Sequence, residues 1–138
     1  MTVELALVLP FLVVTVVALV DVSQFIVADE VISRASIAGA RHASDATTVN
    51  VADVTQVVQD RVQEAYPNLG PAEIEQSLEI TLSDGANAPL TGNALGQLAP
   101  GSELAVDVSF TYDTVRWIRG FPGLDAKSLN TKTVVRRE

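Results

Sequence analysis

His42 is the chain's single histidine, and Ser44 and Asp45 follow it closely. These three side-chain types can make a hydrolytic triad, but neighbours in sequence do not converge on one reacting atom. His42 sits between Arg41 and Ala43 at the end of a helical pattern. It is read there as a partial cation favouring a helix C-terminus, not as a base. Asp84-Gly85-Ala86-Asn87 offers oxygen donors in the manner of a calcium loop fragment. Asp-Gly is more simply a turn. With no cysteine there is no thiolate chemistry and no disulfide framework. No His or Cys spacing suits a metal, and no glycine loop with a following Lys and Ser/Thr cradles phosphate. The sequence thus predicts no catalytic, metal or cofactor-binding residue and no enzymatic activity.

One residue does demand a partner. Glu4 stands at the mouth of a run, Leu5 to Val20, that holds no charge and a single hydroxyl, Thr15. A carboxylate at that position costs several kcal/mol to desolvate unless a cation pairs with it. The first basic side chain is Arg34, far along the chain. An insertion signal normally carries Lys or Arg before its apolar core, on the side that stays inside. Nothing basic precedes the run here. The expectation is a processed chain that has lost a basic leader; the competing reading takes Met1 as an initiator with a crude insertion signal.

The elements that place these residues follow from periodicity. Residues 1–20 read as a transmembrane or filament-core helix, whose roughly sixteen to eighteen apolar residues give about 24–27 Å at about 1.5 Å per residue, slightly short of a typical bilayer core. Pro10 lies inside it and predicts a kink or an unwound stretch near Ala6 to Pro10. Residues 21–138 read as one small domain. The first helix continues over 21–44, where Phe25, Ala28, Ile32, Ala35 and Gly39 form one stripe that tapers to small residues. Ala35, Gly39 and Ala43 are expected to let the sheet approach closely. After a polar break, Asn50 caps a second helix over 51–66, with Val51, Val54, Val58, Val62 and Ala65 as its apolar face. Pro67 stops it, and Pro71 to Gln76 suggests one more helical turn.

The stretch 77–136 reads as antiparallel sheet with long loops. Leu78, Ile80 and Leu82 alternate with polar residues, as do Leu104, Val106, Val108, Phe110 and Tyr112. A last strand covers about Ser128 to Arg136. Three strands with one apolar face need a cover, and the two helices supply it. The fold class is therefore α+β. Trp117, Ile118 and Phe121 fall in a Gly- and Pro-bounded loop. They either plug the core or form a contact surface, and the flanking Gly and Pro favour contact between subunits.

Three segments carry a family resemblance. Thr2-Val-Glu-Leu-Ala-Leu-Val-Leu-Pro10 resembles the opening of TadE-like proteins, the pilin-like components of tight-adherence (Tad) pilus systems. Ile32-Ser-Arg-Ala-Ser-Ile-Ala-Gly-Ala-Arg41 and the ending Leu129-Asn-Thr-Lys-Thr-Val-Val-Arg-Arg-Glu138 are similar to later segments of that group. The middle of the chain carries no motif of this kind. The resemblance implies a type IV pilin-like fold, cleavage by a prepilin peptidase and insertion in a bacterial inner membrane. It further implies extraction by an ATPase-driven assembly platform and packing into a filament. It also implies that Glu4 neutralises the N-terminal amine, here Met1, of a neighbouring subunit. In most type IV pilins that glutamate is fifth in the mature chain; here it is fourth.

The net charge of −8 argues against nucleic acid or an anionic membrane surface as partner. The expected partners are copies of the chain or other pilins, the peptidase, the platform, and lipid before assembly. Two functions fit: a major or minor subunit of a surface pilus, or a non-polymerising inner-membrane accessory protein with an envelope-facing binding domain.

Overall fold

The computed structural model describes residues 2–116 and 127–138, with side chains from residue 6 onward. Helix α1 runs unbroken from Thr2 to Ser44, about 65 Å at the α-helical rise. It passes through Pro10 without the unwound stretch expected there. Proline removes one donor only, and the Leu, Val and Ala residues on either side sustain the helix. The last turn carries the basic residues Arg41 and His42, and the Arg41 charge favours the carbonyl end.

The two halves of α1 differ. Between Ala6 and Val20 the large side chains stand out from the protein: Leu7 is 77 % exposed, Phe11 74 % and Leu19 66 %. From Asp21 onward one stripe is buried, comprising Asp21, Ala28, Ile32, Ala35, Ser36, Gly39, Ala40 and Ala43. The three- and four-residue spacing puts them on a single face.

Helix α2, Val51–Ala65, begins where the Asn50 side chain accepts from the Ala52 N–H at 3.0 Å. Val54, Val58 and Val62 are fully buried against α1 and the sheet. Ala65 is exposed, contrary to its expected place on the apolar face. Tyr66 takes that role: its ring stacks on Phe110 with centroids 6.4 Å apart. Helix α3, Pro71–Ser77, is a short turn held by the Gly70 N–H donating to Glu73 Oε2 at 3.0 Å. It delivers Ile74 to the core.

Strands β1 (Leu78–Asp84), β2 (Glu103–Thr111) and β3 (Ser128–Arg136) form an antiparallel sheet in sequence order. Ile80 pairs with Val108, and Val108 with Thr131. Leu104, Val106, Val108 and Phe110 are buried beneath the helices. The long β1–β2 connection is not loose. It contains a 3₁₀ turn, Ala94–Gln97, whose Leu95 is fully buried. The described architecture is α+β: a long N-terminal helix, further helices and a three-stranded antiparallel sheet.

Candidate functional site: the apolar helix and its hold on the domain

Among the described residues, α1 is the one helix long and apolar enough to cross a membrane. It must also be held to the domain, and two buried arginines do this at opposite ends of the packed segment.

The lower hold lies where the apolar run meets the domain. Arg116 donates from Nε to Asp21 Oδ1 at 2.9 Å and from Nη2 to Asp21 Oδ2 at 2.8 Å. Both side chains are almost wholly removed from solvent. A planar guanidinium matches a carboxylate in this two-bond geometry as no ammonium can. Tyr112 Oη adds bonds to the Asp21 carbonyl at 3.0 Å and to Oδ1 at 3.2 Å. Burial, then the negative charge and hydrogen bond of Asp21, push the Tyr112 hydroxyl up to about 12. The Phe25 ring meets that of Tyr112 edge to face at 5.2 Å. The ammonium of Lys127 sits 5.8 Å over the Phe25 ring. Within one turn, the helix thus exchanges charge, hydrogen bonds and aromatic contact with the segments that leave β2 and enter β3.

The upper hold caps the helix. Arg137 is buried and donates to the carbonyls of Ala43 at 3.2 Å, Ala46 at 3.3 Å and Thr48 at 2.9 Å. The Glu138 N–H donates to Ser44 O at 2.9 Å. Orphan carbonyls at a helix end need partners, and the chain's own last residues provide them. Between the two holds, Ser36 Oγ pairs with Thr133 Oγ1 at 2.8 Å and donates to Val106 O at 3.3 Å.

The residues singled out from sequence are placed as follows. Ala35, Gly39 and Ala43 are all buried. Gly39, however, faces α2 first. A Cβ built on it would lie 2.5 Å from Val58 Cγ2 and 3.8 Å from Val106 Cγ1, so the helix pair is the tighter contact and the sheet the looser one. Pro10 lies within α1. Glu4 belongs to the same helix, but its side chain is outside the described part, as is Met1. Trp117, Ile118 and Phe121 also lie outside the described residues. His42 and Asp45 flank the end of α1. Asp45 Oδ1 accepts from both Thr47 N and Thr47 Oγ1 at 2.8 Å, which holds its carboxyl below the usual range. Ser44 Oγ donates to the Arg41 carbonyl and not to the imidazole. Asp84 Oδ1 accepts from the N–H groups of Ala86 and Ala88, a turn rather than a cation loop.

Sequence reasoning missed Asp21, Arg116 and Arg137. Asp21 did carry a signal, as the first charge after the apolar run. Nothing in the local pattern around Arg116 announces a partner ninety-five residues away.

No curated protein and no solved structure matches the chain. A family model does: residues 1–41, nearly the whole of α1, match that of TadE-like proteins.

Proposed function

We propose that the chain is a pilin-like structural subunit of a Tad-type pilus. It assembles through the apolar half of α1, with Glu4 pairing the N-terminal amine of a neighbour. The reading includes no catalysis and no cofactor. Its partners are other pilin copies, a prepilin peptidase and an inner-membrane platform. The chain resides first in the bacterial inner membrane and then in a surface filament.

The observation that supports this best is the division of α1. From Ala6 to Val20 no side chain is buried, while from Asp21 to Ser44 one face of the helix is locked into the domain. An exposed surface of that size needs lipid or neighbouring helices to cover it. The family match falls on this same helix.

The test is fractionation of the producing cell with an antibody to residues 21–138. Recovery in the sheared surface fraction, lost in a Glu4→Ala variant that still inserts in the membrane, is the expected result. Normal surface recovery of the alanine variant removes the role of Glu4. Retention of the unaltered chain in the inner membrane alone favours the non-polymerising accessory.

A further inference from the structure

The uncharged run is short for a bilayer, but the exposed apolar surface of α1 does not stop where the charge-free sequence stops. Leu19, Val22 and Ile26 follow one another at three- and four-residue spacing and are 66, 51 and 61 % exposed. Val27 beside them is 53 % exposed. Ser23 is the polar residue on this strip, and the strip ends at the exposed Glu30–Arg34 ion pair. Asp21 falls within the same length of helix, yet it points the opposite way, into the domain, where Arg116 and Tyr112 take up its charge. The charge that ends the apolar run in sequence is therefore hidden from the outer face of the helix.

Length decides what covers this strip. Leu5 to Val20 gives about 24 Å of helix, whereas Leu5 to Val27 gives about 34 Å at the α-helical rise. A hydrocarbon core is about 30 Å thick. The longer segment spans without thinning; the shorter does not. The domain's lower edge suits the boundary that results. Lys127 lies there over the Phe25 ring, and a lysine stem can run along apolar surface while its ammonium reaches the headgroups. Val115 packs nearby, partly buried against the core.

We propose that the membrane-embedded part of α1 extends to Val27, and that the Asp21–Arg116 pair enters the apolar boundary as a neutral unit that seats the foot of the domain on the lipid headgroups. The occupant of the Val22–Ile26–Val27 strip is lipid acyl chain, by continuity with the exposed run below it. This concerns the inserted single chain, so it stands whether or not the chain goes on to form filaments.

The absence of cysteine allows a direct test, because each introduced thiol is unique. Full-length Leu19→Cys, Ile26→Cys and Ile37→Cys variants carry an environment-sensitive fluorophore and are reconstituted at high lipid dilution. The vesicles are phosphatidylcholine with phosphatidylglycerol, with and without brominated acyl chains. Probes at positions 19 and 26 should both emit in the blue and lose most of their intensity to brominated lipid. The probe at Ile37, which is 41 % exposed on the domain segment, should do neither. A probe at 26 that behaves like the one at 37 overturns the proposal. A blue but unquenched probe at 26 means that a second copy covers the strip, and also overturns it. In the Ile26→Cys background, Arg116→Gln should move the probe into water, and the neutral pair Asp21→Asn/Arg116→Gln should restore immersion. If Arg116→Gln leaves quenching at 26 unchanged, the pair is not what allows the deeper boundary.

Discussion

The guanidinium of Arg116 and the carboxylate of Asp21 face each other in a two-bond fork, with side-chain exposures of 0 and 4 %. One lies just past the 3₁₀ turn, Tyr112–Thr114, that follows β2, and the other where the apolar run of α1 ends. The pair and the aromatic contacts beside it are the first hold that the apolar half of α1 meets on entering the domain. Two buried charges gain little over a well-packed apolar pair, but each is costly without the other.

That asymmetry gives the first prediction. Arg116→Leu strands the Asp21 carboxylate and should destabilise the full chain in detergent by about 3–5 kcal/mol. The double variant Asp21→Leu/Arg116→Leu should recover most of the loss, because neither charge is then buried without the other. Thermal melts of the three proteins check it. Equal losses for single and double variants would mean that the pair stabilises by more than its mutual neutralisation.

Gly39 supplies the second. Alanine is the better helix former by about 1 kcal/mol, so an exposed Gly39 would gain from replacement. Here a Cβ meets Val58 Cγ2 at 2.5 Å inside the contact between α1 and α2. Gly39→Ala should therefore destabilise, and Gly39→Leu should do so more strongly, with overpacking of about 1–3 kcal/mol. Val58→Ala removes the clashing methyl groups. It should be less harmful in the Gly39→Ala background than alone, a coupling that a double-mutant cycle measures. Additive losses would place the strain elsewhere.

The legible parts of this fold are those written in short-range pattern. The apolar run, the valine spacing of α2 and the alternation in β2 each fix an element and its inward face. The small residues Ala35, Gly39 and Ala43 signalled a close approach, but spacing alone does not say whether helix or strand comes near. That is why Gly39 was assigned to the sheet when Val58 of α2 is its nearest neighbour. Asp21 and Arg116 were beyond reach for another reason. A pair separated by ninety-five positions is created by tertiary packing, and an isolated Asp or Arg reads as solvated surface. The capping of α1 by Arg137 likewise needed the fold, since its acceptors lie some ninety positions away in sequence.

Arg137 yields the third prediction. Its side chain answers three carbonyls at the end of α1 and in the following turn. Arg137→Ala leaves those acceptors without it and should cost about 1–3 kcal/mol. Arg137→Lys should recover little, since one ammonium cannot span the same set from a single point. The neighbouring Arg136 makes an exposed contact with Glu103 at 3.4 Å, and Arg136→Ala should change stability by less than about 1 kcal/mol. Hydrogen exchange of the amides in the last turn of α1 provides a second readout. Faster exchange there in Arg137→Ala but not in Arg136→Ala is expected. Equal effects of the two alanine variants would show that the buried arginine has no special hold on the helix.

The fourth prediction concerns alkali. Tyr112 Oη donates to the main chain and side chain of Asp21. Ionising it would place a phenolate in a buried site beside a carboxylate, and its pKa is accordingly pushed up to about 12. A free tyrosine ionises near about 10. The folded state therefore holds this proton more tightly than the unfolded chain does. The stabilisation is complete below about pH 10 and is lost as pH rises from there towards the folded value. The chain has two tyrosines, so Tyr112→Phe leaves Tyr66 as the remaining phenol. Burial raises Tyr66 as well, and its contribution is common to both proteins. The unaltered chain should lose melting temperature above about pH 10 more steeply than Tyr112→Phe, while below that pH the variant should be the less stable by about 0.5–1.5 kcal/mol per lost hydrogen bond. Parallel melting curves for the two proteins through the alkaline range would mean that Tyr112 ionises as freely when folded as when unfolded, and that its bond to Asp21 does not hold the foot of the domain to α1.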